Sequence, residues 1–249
     1  MSPKRFLSPF LILILLSLSL SAQHHPTAHA ATLSVTTTDD SGTGRLRDAI
    51  IAANGTGGGD LIEFHIPGTG THTITLLTPL PAISSIVTMT GETEEGWVAA
   101  TATTAAVLRV ELDGSTARGI GLTLNGVGSV VRVLAVNRFS TGIRANVNDI
   151  VIAGNHIGTS LNGLTDLGNT TIGIDADTAV GIIIGGLTAA DRNVISGNGG
   201  DGVQFSGVNG ASVLGNYLGT DATGLAPLQN DGDGMEIFPG SNNFIESQI

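Results

Sequence analysis

The sequence predicts an all-β chain, a parallel β-solenoid closed at its amino end by a short helix. Three observations lead there. Glycine supplies 36 of 249 residues, while charged residues make up only 12% and aromatics 4%. The block that begins at Gly154 returns at Gly215 and keeps the same offset along its length. Short triplets of β-branched residues recur throughout, each bounded by Gly, Asn or Asp, and no amphipathic helical period of useful length follows residue 60. The hydrophobic share of 41% separates the chain from disordered polar sequences, which lack the apolar surface to fold. The glycines keep no every-third-residue rule, which excludes collagen.

Residues 1–30 read as a secretory signal. Lys4 and Arg5 form the positive end, and Phe6 to Leu20 form an apolar run. Cleavage after Ala30 or after Ala22 fits the small-residue rule, and strand character begins directly after the first of these, at Thr32-Leu33-Ser34-Val35. The alternative, a retained membrane anchor, meets a run of about 15 residues where a spanning helix needs ~20. Removing the leader leaves 8 basic against 21 acidic residues, a charge of −13, and no lysine. Nucleic acid is therefore not an expected partner, because its binding depends on Lys and Arg. The absence of cysteine excludes disulfides and thiol chemistry.

Residues 31–60 are the expected cap. Leu46, Ala49, Ile50 and Ala53 fall at i, i+3, i+4 and i+7, one helical face, and Asn54-Gly55 is the expected stop. A one-faced helix ahead of a β array suits the open end of its core.

Residues 61–249 are the expected coils. Gly154-Asn155-His156-Ile157-Gly158-Thr159 returns as Gly215-Asn216-Tyr217-Leu218-Gly219-Thr220, and eight of the sixteen positions from 154 to 169 are identical at that offset. About three coils of ~20 residues would fill one such repeat. Inside each coil, Ile, Val, Leu and Ala would stack in ladders at the ~4.8 Å strand spacing. Asn155 and Asn216 read as buried corner residues whose amides bond the backbone of adjacent coils. Ser241 to Ile249 still align with Val180 to Ile184 of the preceding repeat, so the array stops inside a coil and is expected to continue beyond this sequence, with a self-associating edge.

Leu46, Arg47, Ala49, Ile50, Ala53 and Asn54, followed by Asp60 to Phe64, Thr73 to Leu76 and Leu80 to Ile83, resemble the cap and opening strands of secreted bacterial surface proteins with the CSLREA cap. Gly44, Arg45 and Asp48 depart from that motif, standing where the family has Cys, Ser and Glu. The runs Arg192 to Asn198 and Gly215 to Gly224 are similar to its coil repeats. The resemblance implies a right-handed parallel β-helix of the pectin-lyase-like kind with a short amino-terminal capping helix. That fold hosts adhesins and enzymes alike.

The chemistry is sparse. The Asn-Thr-Asp, Gly-His-Gly and Arg-Ile-Lys signatures of pectin hydrolases are absent. Arg132, Arg138, Arg144 and Arg192 could each serve as a lyase base, but no acidic calcium cluster can be assigned beside them. Asp175 and Glu236 are repeat equivalents. Three coils apart, they would stand about 14 Å from each other, too far for a glycosidase pair. Calcium is the one cofactor to consider, with Asp231 and Asp233 as its candidates, against the plainer reading of a solvated acidic turn. His65, His72 and His156 lack metal-ligand spacing, and His156 is expected to face outward, as Tyr217 stands at its position in the next repeat. Trp97 is expected in a loop, partly buried. The expected function is a secreted or cell-surface stalk or adhesion module, with no assigned catalytic residue, that meets carbohydrate or another surface protein and keeps no membrane span once the signal is removed. The alternative is a carbohydrate-active enzyme of the same fold, a polysaccharide lyase or glycoside hydrolase.

Overall fold

The computed structural model describes residues 30–246. All but Ala30 of the expected leader lies outside the described residues, as do the last three residues of the chain. Within the described residues nineteen strands form three sheets, and every strand pairing within them is parallel. The first sheet holds β1 (Thr32–Val35), β2 (Asp60–Phe64), β4 (Val87–Thr90), β7 (Val130–Arg132), β10 (Val151–Ala153), β13 (Ile183–Gly185), β16 (Ser212–Leu214) and β19 (Phe244–Glu246). The second holds β3 (His72–Thr75), β5 (Val110–Asp113), β8 (Ala135–Asn137), β11 (His156–Ile157), β14 (Val194–Ile195) and β17 (Tyr217–Leu218). The third holds β6 (Ile120–Leu124), β9 (Thr141–Ala145), β12 (Ile172–Asp177), β15 (Val203–Ser206) and β18 (Met235–Ile237). From β7 onward each coil gives one strand to each sheet, the signature of a parallel β-helix.

The core is a set of ladders. Ile62, Met89, Val131, Ile152, Ile184 and Val213 stack in register on the first sheet. Leu112, Val136, Ile157 and Ile195 do so on the second, and Leu122, Ile143, Ile174 and Val203 on the third. All are buried. Phe64, Phe139 and Phe205 are the largest side chains fully enclosed. Such short strands are stable because each inner strand is paired on both sides and apolar on its inner face, with neighbours ~4.8 Å above and below.

Register corrects the coil count. Ile152 pairs with Ile184, and Ile184 pairs in turn with Val213, the repeat equivalent of Ile152. The repeat is therefore two coils, not three. The coils are longer than expected because loops leave the stack between strands, notably residues 158–168 and 219–228. In the first Thr159 bridges Asp166, and in the second Thr220 bridges Pro227, both antiparallel.

Asparagines hold the corners. Between the first and second sheets, the Asn155 amide donates to Asn193 Oδ1 at 3.2 Å, and Asn193 donates to Asn216 Oδ1 at 2.9 Å. Each also donates to the backbone of the coil beneath, Asn155 to Val131 O and Asn193 to Ile152 O. Asn155 is buried as expected, whereas Asn216 is only half-buried. A second ladder, Asn169, Asn198 and Asn230, runs the same way between the second and third sheets. Glycines make room for it. A Cβ on Gly173 would lie 2.5 Å from Gly202 O and 2.9 Å from Asn198 Nδ2, and Gly142 and Gly202 meet equivalent neighbours.

The cap is α1 (Leu46–Thr56), with Leu46, Ala49, Ile50 and Ala53 buried in the same core as Val35, Ile62 and Phe64. The helix runs past Asn54 to Thr56 and stops at Gly57, whose φ of 66° is the left-handed stop that glycine accepts without strain. Asn54 lies within the helix and its side chain is engaged elsewhere. Its amide donates to Ala82 O at 2.8 Å, and its Oδ1 accepts from the Ser84 N–H at 2.8 Å. Arg47 reaches the same segment, donating to Thr78 O and Pro79 O while paired with Asp40 at 2.7 Å. Arg47 and Asn54 thus tie the helix to the coil that it covers.

Candidate functional site

Alternation along the third sheet sends every second side chain outward. In β12, Ile174 and Ala176 are buried while Asp175 and Asp177 point to solvent. Register then aligns Thr123, Arg144, Asp175, Gln204 and Glu236 in one outward column. Asp177 and Ser206 pair in the next column, where Asn146 continues the strand one residue beyond Ala145, the partner of Ala176. Arg144, Asn146, Asp175, Asp177, Gln204 and Ser206 line an open groove of about 390 Å³.

The two columns differ. In the first, Arg144 Nε donates to Asp175 Oδ2 at 2.8 Å, and Gln204 Nε2 donates to Glu236 Oε2 at 3.2 Å and to Asp201 Oδ2 at 3.3 Å. In the second, the side chains of Asn146, Asp177 and Ser206 have no hydrogen-bond partner among the described residues, so their donors and acceptors face the groove unspent. With two coils to a repeat, Asp175 and Glu236 stand two rungs apart rather than three, about 9.6 Å at ~4.8 Å per rung. That rung spacing is close to the ~9.5 Å upper limit for a glycosidase pair, with Gln204 on the rung between them.

The other singled-out residues lie elsewhere. Asp231 and Asp233 are exposed, and the Asp233 N–H donates to Asp201 Oδ1 at 2.8 Å. Among the described residues, no three His, Asp or Glu side chains gather in a way that could hold a metal ion. Asn155 and Asn216 are corner members of the first asparagine ladder. Arg132 bridges Glu92 and Asp191, both at 3.1 Å, and Arg138 bridges Glu111 at 3.0 Å and Asp113 at 2.7 Å. Burial alone would raise the Asp191 carboxyl. Hydrogen bonds from Thr188 and Arg132 outweigh it and hold the group below the usual range.

His156 is not an outward surface residue. It leaves the second sheet on its outer side, but only 2% of it is exposed. Val98 and Val107 pair as an antiparallel bridge whose hairpin lies over that side, and Ala106 and partly buried Trp97 join Leu161 against Leu108, Val133 and Ala135. This cover was illegible in the sequence, because the hairpin belongs to a coil two rungs below. Burial pushes the imidazole down to about 4, against weaker upward pulls from the backbone at Ser160 and Leu161. Between pH 6.5 and about 4 the unfolded chain therefore binds a proton here that the folded chain does not, so stability falls as pH falls through that window. The loss should be about 3 kcal/mol, read as a lower urea midpoint at pH 4 than at pH 7. His156→Phe should flatten the dependence, and an unchanged slope in that variant would refute the assignment.

Among the described residues, no helix is long and apolar enough to cross a membrane. No protein-family model matches the chain, and no curated protein is detectably similar to it.

Proposed function

We propose that this is a surface recognition module of the β-helix type, secreted or displayed, that binds a polysaccharide along the outer face of its third sheet. The observation that carries the reading is the second outward column. Asn146, Asp177 and Ser206 present unspent hydrogen-bonding groups on successive rungs, a spacing close to the length that one pyranose unit adds to a chain. Gln204 and the Arg144–Asp175 pair form a rigid wall beside them. The groove has no aromatic platform, so affinity would come from polar contacts repeated along the rungs. The resemblance of the cap to CSLREA-type surface proteins points the same way.

The test is affinity electrophoresis of the purified protein through gels loaded with neutral and acidic polysaccharides. At least one polymer should retard it, and the double variant Asn146→Ala, Asp177→Ala should bind about tenfold more weakly, the effect of losing two modest hydrogen bonds. Both side chains are exposed, so thermal stability should be unchanged. Equal retardation of parent and variant, or none with any polymer, would refute the reading.

A second reading rests on the carboxylate spacing. Asp175 and Glu236 sit on rungs about 9.6 Å apart, close to the upper limit of the ~6.5–9.5 Å between the carboxyl groups of inverting glycosidases. Turnover on a bound polymer, abolished by Asp175→Asn with binding retained, would make the groove an active site.

A further inference from the structure

Of the eight arginines among the described residues, Arg45, Arg47, Arg132, Arg138 and Arg144 are ion-paired. Arg192 is not. Its Nε donates to Gly215 O at 3.1 Å, and its guanidinium carbon lies 4.2 Å from the centroid of the Tyr217 ring. Its two Nη groups have no partner among the described residues. The side chain lines a cleft of about 420 Å³ between the tip of the Val98–Val107 hairpin and the 219–228 loop, with Thr103, Tyr217, Thr223 and Leu225 among the other walls.

The repeat shows what is unusual here. Tyr217 and the loop after it are equivalent to His156 and the 158–168 loop. Beneath the same hairpin, the gap between His156 and Arg192 is only about 10 Å³. The space over His156 is sealed, and the space over Tyr217, on the far side of Arg192, is left open. Asp221, the carboxylate of the 219–228 loop, is turned into that loop, where Oδ1 accepts from the Thr223 N–H and hydroxyl and from the Ala226 N–H. It is not the missing partner of Arg192.

We infer that this cleft is a binding site, separate from the third-sheet groove, for a carboxylate-bearing ligand of monosaccharide size. A guanidinium fixed over an aromatic ring presents a planar fork matched to a carboxylate. The Thr103 hydroxyl, unbonded among the described residues, can meet a ligand hydroxyl, and Leu225, 90% exposed, offers an apolar wall. The volume lies at the small end of the range for ligand pockets, about 300–1,000 Å³.

Tyr217 is the single tyrosine of the chain, so 3-fluorotyrosine labels this cleft alone. Titration with glucuronate should move its fluorine resonance saturably, while glucose at the same concentrations should not. Arg192→Gln should weaken the response at least tenfold. Ala102→Trp, at an exposed position of the hairpin tip, should block it without touching Arg192 or the coil. No response to glucuronate, an equal response to glucose, or an undiminished response in the folded Ala102→Trp variant would overturn the proposal.

Discussion

Asn193→Ala should remove about 3–5 kcal/mol of stability, a large part of the ~5–15 kcal/mol typical of a folded chain. The side chain is fully buried and works in both directions. Its Oδ1 accepts from the Asn155 backbone N–H at 2.9 Å and from the Asn155 amide, while its Nδ2 donates to Ile152 O at 2.8 Å and to Asn216 Oδ1. Alanine strands the Asn155 N–H and the Ile152 carbonyl in the interior, each at about 1–3 kcal/mol. Asn193→Asp should be no better, because a carboxylate cannot donate to Ile152 O. Asn146, exposed and without a side-chain hydrogen bond among the described residues, serves as the control, and its replacement by Ala should stay within about 0.5 kcal/mol. Chemical denaturation of the three variants gives the comparison. A loss below about 1 kcal/mol for Asn193→Ala would mean that the ladder is incidental to stability.

Ile50→Asp should have the larger effect, at least about 5 kcal/mol. Ile50 is fully buried where α1 closes the core, so the variant loses an aliphatic side chain and sets a carboxyl against apolar strands without a partner. Soluble yield should collapse, and the surviving protein should bind a hydrophobic dye at the exposed end of the core. Ile51, one residue on and 54% exposed, separates this from a general effect on helix α1. Ile51→Asp should leave yield and thermal stability near those of the parent. An Ile50→Asp protein as soluble and stable as the parent would show that the helix is not docked.

Much of this architecture is legible in local sequence. Leu46, Ala49, Ile50 and Ala53 mark a buried helical face by spacing alone, and Ile152 and Val213 mark strands by their β-branched neighbours and glycine boundaries. Asn155 and Asn216, the same residue at the same repeat position before short strands, identify a corner. The stopping point of α1 was less legible. Asn54-Gly55 has the composition of a helix stop, but Asn54 spends its amide on Ala82 and Ser84, and the helix continues to Thr56.

The third-sheet groove was hidden for a different reason. Arg144, Asp175, Gln204 and Glu236 are far apart in sequence and carry no shared motif. They become neighbours only when the length of each coil is known, and that length is irregular. The rung from Thr88 to Val130 takes twice as much chain as the rung from Val130 to Val151, because the Trp97–Val107 excursion intervenes.

The sequence by itself therefore determined the short apolar strand segments, the corner residues Asn155 and Asn216 and the buried face of the cap, because β-branching, glycine boundaries and helical spacing act within a few residues. Tertiary structure alone decided that a repeat is two coils, that His156 is covered, that Asp175 and Glu236 stand two rungs apart and that Arg192 is left unpaired beside an open cleft. Each of these depends on loop lengths that set which rung lies above which, and a strand meets its neighbour only after the loop between them has closed.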